Sequence, residues 1–278
     1  MKSRIKITSI DDQPFHSVDY LNVAGKRQVV FQTLPFLRAE TPHLPPPLQL
    51  LVFTADLQGR EKPAAPDGER RLLGEIVAED ISILSQLGDL PPRDRIGVCL
   101  CGDFFSRPGL DRRGGSGDCR HVWLAFRDAA RWVCGVAGNH DIFGPGPSEP
   151  DFNAFKAEAG VYFLEEDAVE LDGMNIGGVS GIVGNPRRPF RRQEEDYSRA
   201  IKNILGNNPD LFLLHDGPDY PESGFKGWPD VRNILETGPP VFTVRGHTHW
   251  PRPLVELSNG TQVLNVDSLV VLLFAKGA

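Results

Sequence analysis

Residues 48–58 read LQLLVFTADLQ, and the fold turns on them. The apolar run over residues 48–54 suits a strand covered on both faces, as strands of parallel sheets are. Asp56 and Gln58 follow at once, at the carboxyl end of that strand. Working outward, the same arrangement recurs. Residues 96–101 end on Gly102-Asp103, and residues 132–137 end on Gly138-Asn139-His140-Asp141. Residues 211–214 end on His215-Asp216, and residues 241–244 lead to Gly246-His247-Thr248-His249. Between the strands, residues 70–87 hold Leu72, Leu73, Ile76, Ile83, Leu84 and Leu87 close to helical spacing. Residues 122–131, 151–159 and 194–205 are read as further helices, the last stopped by Gly206. Residues 161–171 and 174–179 are read as strands. Residues 254–274 are read as two or three more, with Asn259-Gly260 as a hairpin turn.

Upstream, residues 21–23 and 29–34 flank Ala24-Gly25-Lys26, a hairpin signal, and Pro42, Pro45, Pro46 and Pro47 mark an irregular connection. Strands alternating with helices, followed by a strand-rich tail, predict an α/β sandwich forming one domain over residues 48–278. Residues 1–47 are expected as an extension, a β-hairpin addition packed on that core.

Composition narrows the function classes. The 278 residues are 40% hydrophobic and 24% charged, ordinary for a globular protein. A net charge of −7 argues against broad nonspecific binding of nucleic acid. No charged start followed by an apolar run opens the chain, and the longest apolar run, residues 269–275, is far too short to span a bilayer. A cytoplasmic protein without a membrane partner is expected. Cys99, Cys101, Cys119 and Cys134 lack CxxC spacing and are expected as buried, reduced thiols.

The five polar clusters carry the chemistry. Ligands of α/β sheets gather at the carboxyl ends of strands, where every one of these clusters lies. Residues two apart on an extended backbone point to the same side, so His247 and His249 can converge on one site, and so can Asp56 and Gln58. Of seven histidines, four (His140, His215, His247, His249) fall in the clusters. One histidine at a strand end is usually structural; four, joined by two aspartates and an asparagine, form a metal-binding constellation.

The order Asp-x-(His), Gly-Asp, Gly-Asn-His-(Asp/Glu), His, Gly-His-x-His resembles that of the calcineurin-like metallophosphoesterase superfamily, from Leu48 to roughly Asp267. The resemblance implies a four-layered α-β-β-α sandwich and two divalent metal ions. Carried over by position, it makes Asp56, Asp103 and His249 ligands of the first metal. Asp103, Asn139, His215 and His247 hold the second, with Asp103 as the bridge. His140 is similar to the family's catalytic histidine, which faces the leaving-group oxygen rather than a metal. Asp141 either orients His140 or caps the following turn.

Two metals about 3.5–4 Å apart can activate a hydroxide and clamp phosphoryl oxygens for in-line attack. A protonated His140 can then give its proton to the departing alkoxide. One position departs from the pattern: Gln58 stands where the family has a histidine. An amide oxygen is a harder, weaker donor than an imidazole nitrogen, so the first metal is expected to be looser and to lean toward Mn²⁺ or Mg²⁺. Gln58 either ligates weakly or leaves a water in its place. Mn²⁺ is the expected metal, with Fe, Zn, Ni and Mg as alternatives.

Ser106 and Asp141 depart from the Gly-Asp-x-x-Asp-Arg-Gly and Gly-Asn-His-Glu motifs of phosphoprotein phosphatases. A diester or monoester of a small phosphorylated compound, with a nucleotide among the candidates, is the expected substrate. Two loops are candidates for choosing it. Residues 104–119 hold Arg107, Arg112 and Arg113; residues 185–193 pack Arg187, Arg188, Arg191 and Arg192 around Phe190. Such clusters hold phosphates and stack on a base, or merely pair with Glu194, Glu195 and Asp196. Two further readings stand beside this one. A noncatalytic module binding a phosphorylated ligand has Gln58 as its only support, and a metal-dependent nuclease is disfavoured by the chain's acidity.

Overall fold

The Leu50–Ala55 strand divides its side chains between two cores: Leu50 and Val52 face one, Leu51 and Phe53 the other, all fully buried. That alternation is the period-two geometry of a strand, here with apolar residues on both faces. The computed structural model describes residues 5–25, 27–64, 68–111, 114–146 and 149–277. Lys26, Arg112 and Arg113 lie outside them. In the first sheet the strand order is Ser9–Ile10, Gln28–Thr41, Leu269–Ala275, Leu50–Ala55, Ile96–Leu100, Trp132–Gly135 and Val161–Phe163. Its last four strands run parallel. The second sheet runs Glu166–Leu171, Met174–Val179, Leu211–Leu214, Phe242–Arg245, Gln262–Asn265 and Leu254–Glu256, with a parallel centre and antiparallel edges.

One apolar layer lies between the sheets, joining Leu51, Phe53, Cys99 and Val271 to Ile176, Leu211, Leu213, Val244 and Leu264. The outer face of the first sheet is covered by the Leu73–Leu87 and Arg120–Ala129 helices through Leu73, Val77, Ile81, Val122, Trp123 and Phe126. The outer face of the second is covered by the Glu194–Gly206 and Pro229–Thr237 helices through Tyr197, Ile201, Val231 and Leu235. The result is the α-β-β-α sandwich. All four cysteines are free and buried in its cores.

Three elements differ from the sequence reading. Residues 161–171 are not one strand: Val161–Phe163 ends the first sheet and Glu166–Leu171 begins the second. The crossing is pinned at Leu164, whose N–H donates to Gly135 O of the first sheet (2.8 Å) and whose carbonyl accepts from Ser180 Oγ (2.7 Å). Both pieces are extended, so the local pattern carries no sign of the switch. The Pro229–Thr237 helix has no counterpart in the reading, because only Val231 and Leu235 of its nine residues are buried. The N-terminal hairpin is longer than its signal, with His16–Ala24 antiparallel to the first half of Gln28–Thr41. The second half of that long strand pairs with Leu269–Ala275, so residues 1–47 contribute strands to the first sheet.

The hairpin also reaches the loop that follows Leu50–Ala55. Leu21 and Arg60 exchange both backbone hydrogen bonds, at 2.8 and 2.9 Å. Gly59 lies directly beneath the Tyr20 ring, and a Cβ there would collide with it.

Candidate metal centre

Both sheets deliver residues to one place. The first supplies Asp56 and Gln58, then Asp103, then Asn139 and His140, each just past a strand's carboxyl end; the second supplies His215, His247 and His249. Glycines allow the loops to close on one another. A Cβ at Gly138 would collide with the Asp103 carboxylate, and one at Gly246 with the Asp56 carboxylate. Asp56, Asp103 and His247 themselves adopt left-handed backbone, with φ of 56°, 62° and 69°. Such a conformation costs an L-residue about 1–2 kcal/mol, so surrounding bonds must hold it. They do: Asp56 N–H donates to Gly102 O (2.8 Å), His140 N–H to Asp103 Oδ1 (2.8 Å), and His247 N–H to Asp56 Oδ2 (2.7 Å).

His215, fully buried, is oriented by its neighbour. Its Nδ1 lies 2.6 Å from Cys101 O, and a carbonyl only accepts, so Nδ1 carries the proton. Nε2 is left facing Asp103 Oδ2 at 3.4 Å, with no hydrogen-bond partner. Asn139 Oδ1 is likewise buried and unpartnered. Buried polar atoms without partners are costly and rare, and these two call for a ligand. Donor atoms of Asp103, His215 and His247 lie within 4.8 Å of one another. Two donors bound to one ion through bonds of about 2.0–2.2 Å stand roughly 3.0–3.5 Å apart, which matches the 3.4 Å between His215 and Asp103. The residues fit a divalent metal.

Charge at the site is finely opposed. Burial drives the Asp56 carboxyl well above its usual range, with Asp267 and Asp103 adding to the rise against the pull of His215. Burial would also raise Asp103, but His215 and the hydrogen bond from His140 bring it down to about 2. Burial would lower His215, yet Asp103 and then Asp56 raise it to about 10. His247 is pushed down to about 3 by burial and by His215, which leaves a neutral imidazole, the form that binds metal.

The other sequence candidates separate. Gln58 borders a cavity of about 160 Å³ with Asp56, Asp103, His140 and His247, and its Nε2 donates to Asp103 Oδ2 (3.2 Å). His249 is at the rim, 74% exposed, with Nδ1 3.3 Å from Asp267 Oδ2. His140 lines the cavity, and its Nδ1 is buried without a partner. The expectation for Asp141 is corrected. Its carboxylate hydrogen-bonds neither the His140 ring nor the turn that follows, and instead accepts the N–H groups of Gly138, Asp103 and Phe104, each at 2.8 Å. It ties the loops that carry Asp103 and Asn139 together.

Among the described residues of the substrate loops, Arg191 is the arginine bonded to a site residue, with Nη1 3.3 Å from Asn139 O. Arg107 pairs with Asp111 at the surface (3.5 Å), and Arg187 and Arg188 are exposed in a turn closed by Asn185. Arg192 pairs with Glu166 (2.6 Å), not with the acidic run that follows it. Phe190 is no open stacking platform: it packs edge-on against Phe143 and Phe152. Those rings, with Arg191 and Arg192, line a second cavity of about 420 Å³ that also borders Asp141.

Asn22, Asp267 and Ser268 line the small cavity and escaped the sequence reading. Asp267 follows residues 263–266, apolar but for Asn265, much as the other clusters follow their strands, a signal that was available. Asn22 had none, since the hairpin brings it in from 34 residues before Asp56.

The model of the calcineurin-like phosphoesterase family matches residues 51–251, more than two thirds of the chain. The chain belongs to that family. Among solved structures it is similar to the protein TT1561 of Thermus thermophilus, at 14% identity and a TM-score of 0.56, over 80% of this chain and 90% of that one. A dimetal phosphatase from Danio rerio is 13% identical with a TM-score of 0.46, over 79% of this chain and 87% of that one. No curated protein matches the sequence significantly. Among the described residues no helix is long and apolar enough to cross a membrane.

Proposed function

We propose that the chain hydrolyses an ester of a small phosphorylated compound at a pair of divalent metal ions. The observation that carries this reading is two buried, unpartnered donors, His215 Nε2, which faces Asp103 Oδ2, and Asn139 Oδ1. Asp103, Asn139, His215 and His247 would hold the second ion. Asp56, Asp103 and His249 would hold the first, with Gln58 steadying the shared carboxylate. Bound there, the ions would supply a Lewis acid for phosphoryl oxygens and a water of lowered pKa. Mn²⁺ suits the oxygen-rich first position.

The chain's own residues do the rest. Asp141 fixes the two loops through three backbone N–H groups, so Asp103 and Asn139 keep their positions while substrate enters. The backbone of His140 is anchored on Asp103 Oδ1 while its ring edges the cavity, within reach of a leaving-group oxygen. Its imidazolium would hand over a proton as that oxygen departs. Arg191, held on Asn139 O at the edge of the larger cavity, is among the described residues the cation best sited to meet a phosphate oxygen or its substituent.

The test is hydrolysis of an aryl phosphodiester and an aryl phosphomonoester with added Mn²⁺. Activity should vanish with a chelator and return with metal. His140→Ala should lower kcat by about 10²–10⁴-fold while leaving Mn²⁺ binding unchanged. No metal-dependent turnover by the wild type would sink the enzyme reading, and an undiminished His140→Ala would remove its role as acid.

A further inference from the structure

We propose that Asp267 is a ligand of the first metal position, supplying there the donor that Gln58 does not. This rests on the two-metal reading above. Asp267 follows the Gln262–Asn265 strand, and its loop is fastened to the end of Leu50–Ala55, directly beneath Asp56. Asp267 bridges to Ala55, Ser268 N–H donates to Ala55 O (3.1 Å), and Ser268 Oγ donates to Asp56 O (3.4 Å). The Asp267 N–H is taken by Asn265 Oδ1 (2.9 Å), which sets the turn. A second acidic side chain is thereby fixed beside Asp56 by bonds to the ends of two strands.

The side chain is only 15% exposed and forms part of the cavity wall with Asp56, Gln58, Asp103 and His247. Among the described residues no lysine or arginine lies within ion-pair distance of it, and the titratable side chain nearest it is His249, at 3.3 Å. A carboxylate buried beside two others without a fixed cation is unfavourable unless a cation arrives. The 3.3 Å between Asp267 Oδ2 and His249 Nδ1 falls in the range of about 3.0–3.5 Å that two donors on one ion adopt. It also repeats the 3.4 Å spacing of His215 and Asp103 across the cavity. Gln58, meanwhile, spends its amide nitrogen on Asp103 Oδ2 and so secures the shared carboxylate. The first position would then draw on Asp56, Asp103, Asp267 and His249, three carboxylates and one imidazole, which an ion would gather, since the donors already within 4.8 Å of one another are those of Asp103, His215 and His247. That is a set for a hard divalent ion such as Mn²⁺.

The test titrates Mn²⁺ into chelator-stripped protein and reads free Mn²⁺ by electron paramagnetic resonance. Wild type should bind two ions. Asp267→Asn should weaken one of them by more than about 100-fold, beyond the 10–100-fold that losing an outer-shell partner gives. The other ion should bind unchanged, which also reports that the variant is folded. An asparagine oxygen can still face His249 Nδ1 as the carboxylate does, so a role confined to orienting that ring predicts little change. Adding Gln58→His should recover most of the loss.

Two ions bound by Asp267→Asn as by wild type would overturn the assignment. Loss of both ions together would overturn its confinement to the first position, and a double variant that stays weak would overturn the exchange with Gln58. A wild type that binds no Mn²⁺ would overturn the two-metal reading itself.

Discussion

The two proposed metal positions differ most in what surrounds their donors. On one side His215 is fully buried and Asp103 and Asn139 nearly so, with the imidazole locked by Cys101 O and its free nitrogen desolvated. On the other side His249 is 74% exposed and Gln58 is turned to Asp103 instead of standing open. Desolvated donors without partners gain most when an ion arrives, because no water must be displaced from them. Exposed donors gain less, since water already satisfies them. The buried position should fill first and hold tightest, and the exposed one should govern how much metal activity requires.

Breaking the shared element should erase the contrast. Asp103→Ala removes the carboxylate both positions use, so equilibrium dialysis should find neither ion and turnover should fall by more than about 10³-fold. Retention of one tight ion would show that the positions are independent. Next in size is His215→Ala, which should abolish the tight ion and leave only weak binding; calorimetric titration with Mn²⁺ would reveal the loss of the steeper phase. Gln58→His should sharpen the comparison from the opposite direction. It adds an imidazole to the loose position and should tighten that ion by about tenfold, with preference moving toward Zn²⁺. Equal Zn²⁺ and Mn²⁺ affinities before and after the change would rule out donor softness as the cause.

The smallest effect concerns pH and metal-free protein. Folding raises the His215 pKa from 6.5 to about 10 through Asp103 and Asp56, against the opposing effect of burial. A raised imidazole pKa stabilises the fold fully below the unfolded value and loses that contribution as pH climbs through the folded one. Urea midpoints of stripped protein should therefore fall between pH 6.5 and 10, and metal-loaded protein should lack that part of the fall.

How far the sequence carried depends on distance along the chain. The strand that begins with Leu50 and its four analogues were legible because apolar runs and polar ends are local, and the order of their motifs carried the family. Asp267 obeys the same rule and was passed over because its polar end holds one charged residue rather than a motif. Leu164 illustrates what local pattern cannot hold: extended residues read alike whether they finish one sheet or begin another. Arg191 and Arg192 are adjacent in sequence, yet one reaches Asn139 and the other Glu166, a separation decided only by how the loop lies on the second sheet. Asn22 enters the cavity through a hairpin whose docking depends on Gly59 fitting under Tyr20, a contact between segments with no shared pattern.

The left-handed backbone at Asp56, Asp103 and His247 has a consequence for how the protein responds to selection. At these positions glycine would relax the chain, since it alone visits that region freely. At His247 it would also remove an imidazole that burial has already made hard to charge. A search for heat-resistant variants conducted without metal should therefore enrich His247→Gly and similar changes, and so dismantle the centre while improving the scaffold. The same search in the presence of Mn²⁺ should reject them, making the metal in the medium the factor that decides which sequence survives.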